Sequence, residues 1–203
     1  MAETDNFTSM KSKTTSTLLI AISCFILFCS QIPPSNSDFN TFLKKFKHSE
    51  IPIVIKGCKI ATSPIADTFK KSDSDSIYMP LSGSLPYCTF KTNGNYFAII
   101  YLGEADCFLP IIRTYDKTGK MIDEKCIAIG GCGVGPGFTC EEYMTLRKDY
   151  TLYTSDTITE SAIDSLGNEI NGTETKYVRY KEGRLLSSGK IELSAEGKKD
   201  LVK

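Results

Sequence analysis

Tyr96-Phe97-Ala98-Ile99-Ile100-Tyr101-Leu102 (YFAIIYL) is apolar or aromatic at every position. Side chains of a strand point alternately to opposite faces, so a strand built from this stretch must be covered on both sides, which places it in the middle of a sheet. Turn residues bracket it: Asn93-Gly94 before, Gly103-Glu104 after. Further on, Asp116-Lys117-Thr118-Gly119 reads as a type I turn with Gly119 left-handed, pairing Asp116 with Lys120. From Ile77 onward the same alternation predicts strands near 77–81, 85–91, 96–102, 106–115, 120–128, 141–146, 150–154, 156–163, 174–180 and 184–192. Turns are expected at Asp164 to Asn168 and at Lys181-Glu182-Gly183. Lys176 to Tyr180 (KYVRY) alternates and should be half exposed. No long helix interrupts the run, which argues against a parallel α/β sheet. The fold class expected is mainly β (α+β): an antiparallel meander sheet, curved or partly closed, with one short N-terminal amphipathic helix packed on it.

That helix is read from Phe39, Phe42, Leu43 and Phe46, which recur at helical spacing behind the capping residue Ser37. Its phenylalanine stripe is a face for docking on a sheet. From Glu50 to Ser76 periodicity fades after Ile51 to Ile55; one short strand and then loop is expected, ending in the Ser/Asp run 72–76. Residues 194–203 (SAEGKKDLVK) read as a polar, frayed tail. The domain organisation is therefore 1–37 signal peptide, 38–193 one β-rich domain, 194–203 tail. A chain of 203 residues, 41% hydrophobic, suits one core.

The signal is an apolar run of 12 residues, Leu18 to Cys29 (LLIAISCFILFC), behind Lys11 and Lys13 and ahead of Pro33-Pro34. A membrane-spanning helix needs roughly 20 residues, so the run fits an export signal, with cleavage before Asp38 after the small residues Ser35 and Ser37. Translation from Met10 would leave a purely basic n-region. The competing readings are acylation at Cys29 or Cys24 and a retained signal anchor. Export places Cys58, Cys88, Cys107, Cys126, Cys132 and Cys140 in an oxidising compartment, where an even set favours disulfides. Cys132 to Cys140 is the pair expected, because the intervening Gly-rich segment folds back on itself. The other four are unassigned candidates. The meander register puts Cys107 opposite Ile129 and Cys126 opposite Pro110, against a Cys107–Cys126 bridge.

The charges cancel, 24 Lys and Arg against 24 Asp and Glu, which argues against a nucleic-acid partner. The chemical motifs are negative. The sole histidine, His48, would have to serve any Ser-His or Cys-His pair. The glycine-rich 130–137 loop lacks the Lys-Ser/Thr ending of a phosphate-binding loop. Zinc held by Cys126, Cys132 and Cys140 is disfavoured by their wide spacing. No catalytic, cofactor or metal residue is assigned. Among the acids Glu104, Asp106, Asp123, Glu124, Glu141 and Glu142, adjacent Glu141 and Glu142 should point to opposite faces. Tyr96, Tyr101, Tyr150, Tyr153, Tyr177 and Tyr180 are candidates for a sugar or peptide groove, though half-buried sheet residues would give the same pattern. Asn171-Gly172-Thr173 is a glycosylation sequon for a eukaryotic secretory pathway.

The basic start, short cysteine-containing apolar signal, Phe-rich helix and turn-punctuated strands (YDKTGKMID, YKEGRLLSSGKIEL) resemble small exported or lipid-anchored β-rich proteins of unknown function from Bacteroidetes-type bacteria. The resemblance implies a cell-envelope location and carries over no functional residue. Two functions are expected from different classes: a noncatalytic envelope module binding a protein, glycan or small ligand, or a carboxylate-based secreted hydrolase.

Overall fold

The stretch read as a central strand is β4 (Phe97–Gly103). It lies in the middle of a five-stranded sheet ordered β1 (His48–Ser49), β3 (Ser84–Phe90), β4, β5 (Leu109–Tyr115), β6 (Met121–Cys126). A computed structural model describes residues 36–57, 64–105 and 107–202, within the compact unit Pro34–Lys203. The expectations for the signal segment, Cys24, Cys29, Cys58 and Asp106 lie outside the described residues. A seven-stranded sheet is ordered β11 (Ile191–Leu193), β10 (Thr175–Leu185), β9 (Thr151–Glu160), β8 (Phe138–Leu146), β2 (Ile53–Ile55); β12 (Gly197–Val202) lies beside β10 and β7 (Val134–Gly135) beside β8. Among the described residues no helix is long and apolar enough to cross a membrane.

The two faces of β4 explain the architecture. Ala98, Ile100 and Leu102 share a core with Ile55, Met144, Leu146, Leu152 and Leu185 of the second sheet. Ile99 and Tyr101 point the other way, into an aromatic layer with Phe39, Phe42, Phe46, Phe69 and Tyr78. Helix α1 (Asn36–Leu43) supplies the first two phenylalanines, each buried to 1% exposure. Phe39 packs on Gly119, whose φ of +88° and whose missing Cβ, which would lie 2.6 Å from the ring, admit only glycine there.

The fold is mainly β, as expected, but it is two open sheets rather than one curved or partly closed meander, and β1 runs parallel to β3. Alternation specifies that a face is buried and leaves open whether a helix or a second sheet covers it. The run 77–81 is not a strand. Asp73–Ile77 forms a 3-10 turn in which the buried Asp75 carboxylate accepts from Ser72 N at 2.8 Å and pairs with Lys45 Nζ at 2.6 Å, holding Tyr78 and Met79 under the helix. The segments 150–154 and 156–163 are one strand, β9, and Lys181 to Gly183 lie within β10. The turn falls instead at Leu186 to Lys190. The tail is paired, not frayed: β12 runs antiparallel to β10.

The Asp116–Lys120 turn forms as read. A bulge at Ile122 then shifts the partner of Thr114 to Asp123, so Cys126 faces Ile111 rather than Pro110.

Candidate functional site

Among the described residues, polar chemistry gathers most densely in a groove beneath α1 and in a buried row on the seven-stranded sheet. The first is an open groove of about 700 Å³ where α1 overhangs one end of the five-stranded sheet. Phe90, Tyr96 and Phe97 contribute its apolar wall, and Lys44, His48, Lys91 and Lys117 its basic rim; among the described residues none of those lining it is acidic. Lys117 Nζ stands 4.0 Å over the Phe97 ring. The floor is braced from below: Tyr96 Oη donates to Asn93 Oδ1 at 2.7 Å, and Asn93 Nδ2 donates to the Leu185 carbonyl at 3.0 Å. Of the six tyrosines proposed for a groove, only Tyr96 lines this one. Tyr101 is buried and donates to Glu124, Tyr153 and Tyr180 stack with centroids 6.2 Å apart, and Tyr177 donates to Glu160 under Lys198.

The second is a polar row across the inner face of the seven-stranded sheet. Glu142 on β8 pairs with Asp156 on β9, which pairs with Arg179 on β10. Glu142 is 3% exposed and Asp156 fully buried, and none of their four carboxylate oxygens has a hydrogen-bond partner among the described residues. Arg179 turns to Glu196, donating at 2.6 and 3.0 Å. Lys181, one row along, reaches the Ala128 carbonyl at 3.5 Å. Burial pushes Glu142 up from 4.5 to about 7, and the negative Asp156 adds to that. Burial likewise raises Asp156 from 3.8 to about 6, against the opposing pull of Arg179. As expected, Glu141 and Glu142 point to opposite faces, the first exposed and the second buried.

Glu142 faces a cavity of about 90 Å³ lined also by Cys107, Leu109, Gly130, Gly131 and Cys132. The Cβ that Gly57 lacks would lie 1.9 Å from Glu142 Oε2 and 3.1 Å from the Phe108 carbonyl oxygen. Any other residue at 57 would therefore displace the carboxylate. The other acids do not converge: Asp123 accepts from Ile191 N at 3.0 Å, Glu124 pairs with Arg113, and Glu104 lies exposed by Gly83.

The cysteines divide. Cys132 and Cys140 form the expected disulfide, Cα atoms 5.2 Å apart. Cys107 is also disulfide-bonded, its sulfur 3.3 Å from the Cys132 carbonyl oxygen. Cys88 and Cys126, both offered as disulfide candidates, are free thiols: Cys88 is sealed in the core between the sheets, and Cys126 is exposed on an edge strand. Burial pushes the Cys88 thiol up to about 11, and Cys126, though its surface is open to solvent, is raised by the protein packed around its sulfur. Neither is poised as a nucleophile, since a reactive cysteine needs a lowered value. His48 on β1 and Cys126 on β6 occupy opposite edges of the five-stranded sheet, so they form no Cys-His pair. The zinc reading fails because two of its three sulfurs are bonded to each other; Asp156 is the acid beside them.

Asp156 escaped the sequence reading because a strand break placed at Ser155 hid its phase. Taken as one strand, Leu152, Thr154, Asp156 and Ile158 share the inner face, and Cys140, Glu142, Met144 and Leu146 share that of β8. A carboxylate in phase with buried apolar residues on each of two consecutive strands was the available signal.

Set against known proteins, the chain matches no family model, no curated protein and no solved structure.

Proposed function

We propose that this is an exported, noncatalytic binding module of the cell envelope whose groove takes an anionic ligand with an apolar body. The observation that carries the proposal is the groove's lining: three lysines and a histidine around an aromatic wall, with no carboxylate, on a chain of zero net charge. Its volume of about 700 Å³ falls in the range of small-molecule sites. Apolar burial would supply affinity, while the lysines would select charge and orient the ligand. Export is supported by the basic and apolar N-terminal layout, and the Cys132–Cys140 disulfide is compatible with an oxidising compartment. Cleavage before Asp38 would trim two residues of α1 and leave Phe39, Phe42 and Phe46 on the sheet. Intact mass of the exported protein separates this form from one acylated at Cys29 or Cys24 and from an uncleaved anchor.

The hydrolase alternative draws on Glu142 and Asp156, which do stand together. Their setting supports it less well. A cavity of about 90 Å³ is several times too small for an organic substrate; among the described residues the groove of about 700 Å³ brings no carboxylate, and the smaller pocket of about 490 Å³ beside Thr139 and Thr157 brings Glu141 alone.

The test is a titration with anilinonaphthalene sulfonate, an anionic aromatic dye. Binding should weaken as ionic strength rises from about 0.05 to about 0.5 M. It should fall roughly tenfold or more in Lys44→Glu/Lys117→Glu, an exposed pair whose reversal leaves the core untouched. Dye binding indifferent to both changes would sink the groove reading.

A further inference from the structure

The buried carboxylate row lies away from the groove and its chemistry is opposite. Two carboxyl groups sit side by side inside the protein with no donor to any of their four oxygens among the described residues. Ionised carboxylates are not buried bare: they are paired, protonated or bound to a metal. The nearby cations direct their hydrogen bonds elsewhere, Arg179 to Glu196 and Lys181 at 3.5 Å toward the Ala128 carbonyl, and act on Asp156 only through their field. Protonation of one group satisfies at most two of the four oxygens through a single O–H···O bond. A cation lodged between two cross-strand carboxylates engages oxygens of both.

The surroundings suit one. Glu142 projects toward a cavity of about 90 Å³, room for an ion with a few waters and for no organic ligand. Gly130 and Gly131 leave part of its wall as bare peptide backbone, and the Phe108 carbonyl oxygen lies beside Glu142 where Gly57 has no side chain. The donors are all hard oxygens, because the neighbouring sulfurs Cys132 and Cys140 are tied in a disulfide and offer no thiolate. We propose that Glu142 and Asp156 form a divalent cation site of the calcium class, completed by carbonyl oxygens and water at the disulfide-closed end of the two sheets. Oxygen donors, an irregular loop and space for water favour Ca²⁺ over Mg²⁺, which requires near-ideal octahedral geometry. A two-carboxylate site of this kind binds with Kd about 10⁻⁴ to 10⁻³ M, the range of extracellular modules.

The full chain, purified with disulfides intact, is stripped with EDTA and titrated with CaCl₂ at pH about 8, where both carboxyls are ionised. The expected result is a thermal transition that rises with millimolar Ca²⁺ and tyrosine-sensitised Tb³⁺ emission that Ca²⁺ displaces. Glu142→Gln and Asp156→Asn should each lose the shift, and Glu141→Gln, altered on the opposite face of the same strand, should keep it. No Ca²⁺ shift and no displaceable Tb³⁺ emission in the unaltered protein overturns the proposal, as does an undiminished shift in both site variants. Should either variant fail to fold, the Tb³⁺ and Ca²⁺ competition on the unaltered chain decides.

Discussion

Replacing Glu142 with glutamine should make the protein more stable at alkaline pH. The carboxyl is raised from 4.5 to about 7 in the folded state. A raised acid is neutral in both states below its unfolded value, so it has no effect there. Above that value the unfolded chain releases the proton first and stability falls until the folded pKa is passed. At about 1.4 kcal/mol per pKa unit the full loss is about 3 kcal/mol, of which about 1.3 falls between pH 6 and pH 8. Asp156, raised from 3.8 to about 6, adds to the decline mainly below pH 6. Asp116, Asp149, Asp164 and Glu196 are lowered by hydrogen bonds, so their contributions are complete at more acidic pH and do not interfere. The assay is urea unfolding with EDTA present and disulfides intact, followed by circular dichroism because the chain has no tryptophan. The native protein should lose stability steadily toward pH 8, and Glu142→Gln should be nearly flat above pH 6. Equal stability of the native protein at pH 5 and pH 8, or the same slope in the variant, would refute the reasoning that this carboxyl is buried without a partner.

Phe42→Ala removes a ring that is 1% exposed and packed among Phe46, Phe69 and Tyr78; a loss of about 3–5 kcal/mol in urea unfolding is expected. Val134→Ala, at 85% exposure, should change stability by less than about 0.5 kcal/mol. Replacing Cys132 and Cys140 together by serine opens a bridge spanning 8 residues, and by the chain-entropy relation should cost roughly 2.5 kcal/mol, read by the same denaturation. Iodoacetamide on the native, unreduced protein should label Cys126 and spare Cys88 until denaturant is added, with mass spectrometry of the peptides as readout. Early labelling of Cys88 would contradict its place between the sheets.

Much of the architecture was readable where a residue's neighbours along the chain settle its state. YFAIIYL announced the central strand, Asp116 to Gly119 its turn, and the phenylalanine spacing the helix. Misreadings arose where a distant group decided. The 77–81 run looked like a strand until Asp75 met Lys45, thirty residues away. Lys181 to Gly183 looked like a turn until β9 paired along the whole of it. One bulged residue at Ile122 moved Cys126 off its counted partner. The site fared similarly. That Glu141 and Glu142 face opposite ways was legible from period-two alternation, but which of them faces inward, and that Asp156 lies beside it, came only from a register that no local signal near Ser155 declares.

The sequence by itself determined that both faces of the central strand and the phenylalanine face of the helix are buried, because apolar alternation and helical spacing depend on the order of side chains alone. It also singled out Cys132 and Cys140, whose closeness follows from a short, glycine-rich connection. Tertiary structure alone decided that two sheets stack, that Cys88 and Cys126 remain thiols, and that two carboxylates share a buried row while lysines ring an aromatic groove. Each of these depends on which strand lies beside which, and strand pairing is fixed by long-range packing and loop closure rather than by the residues next in the chain.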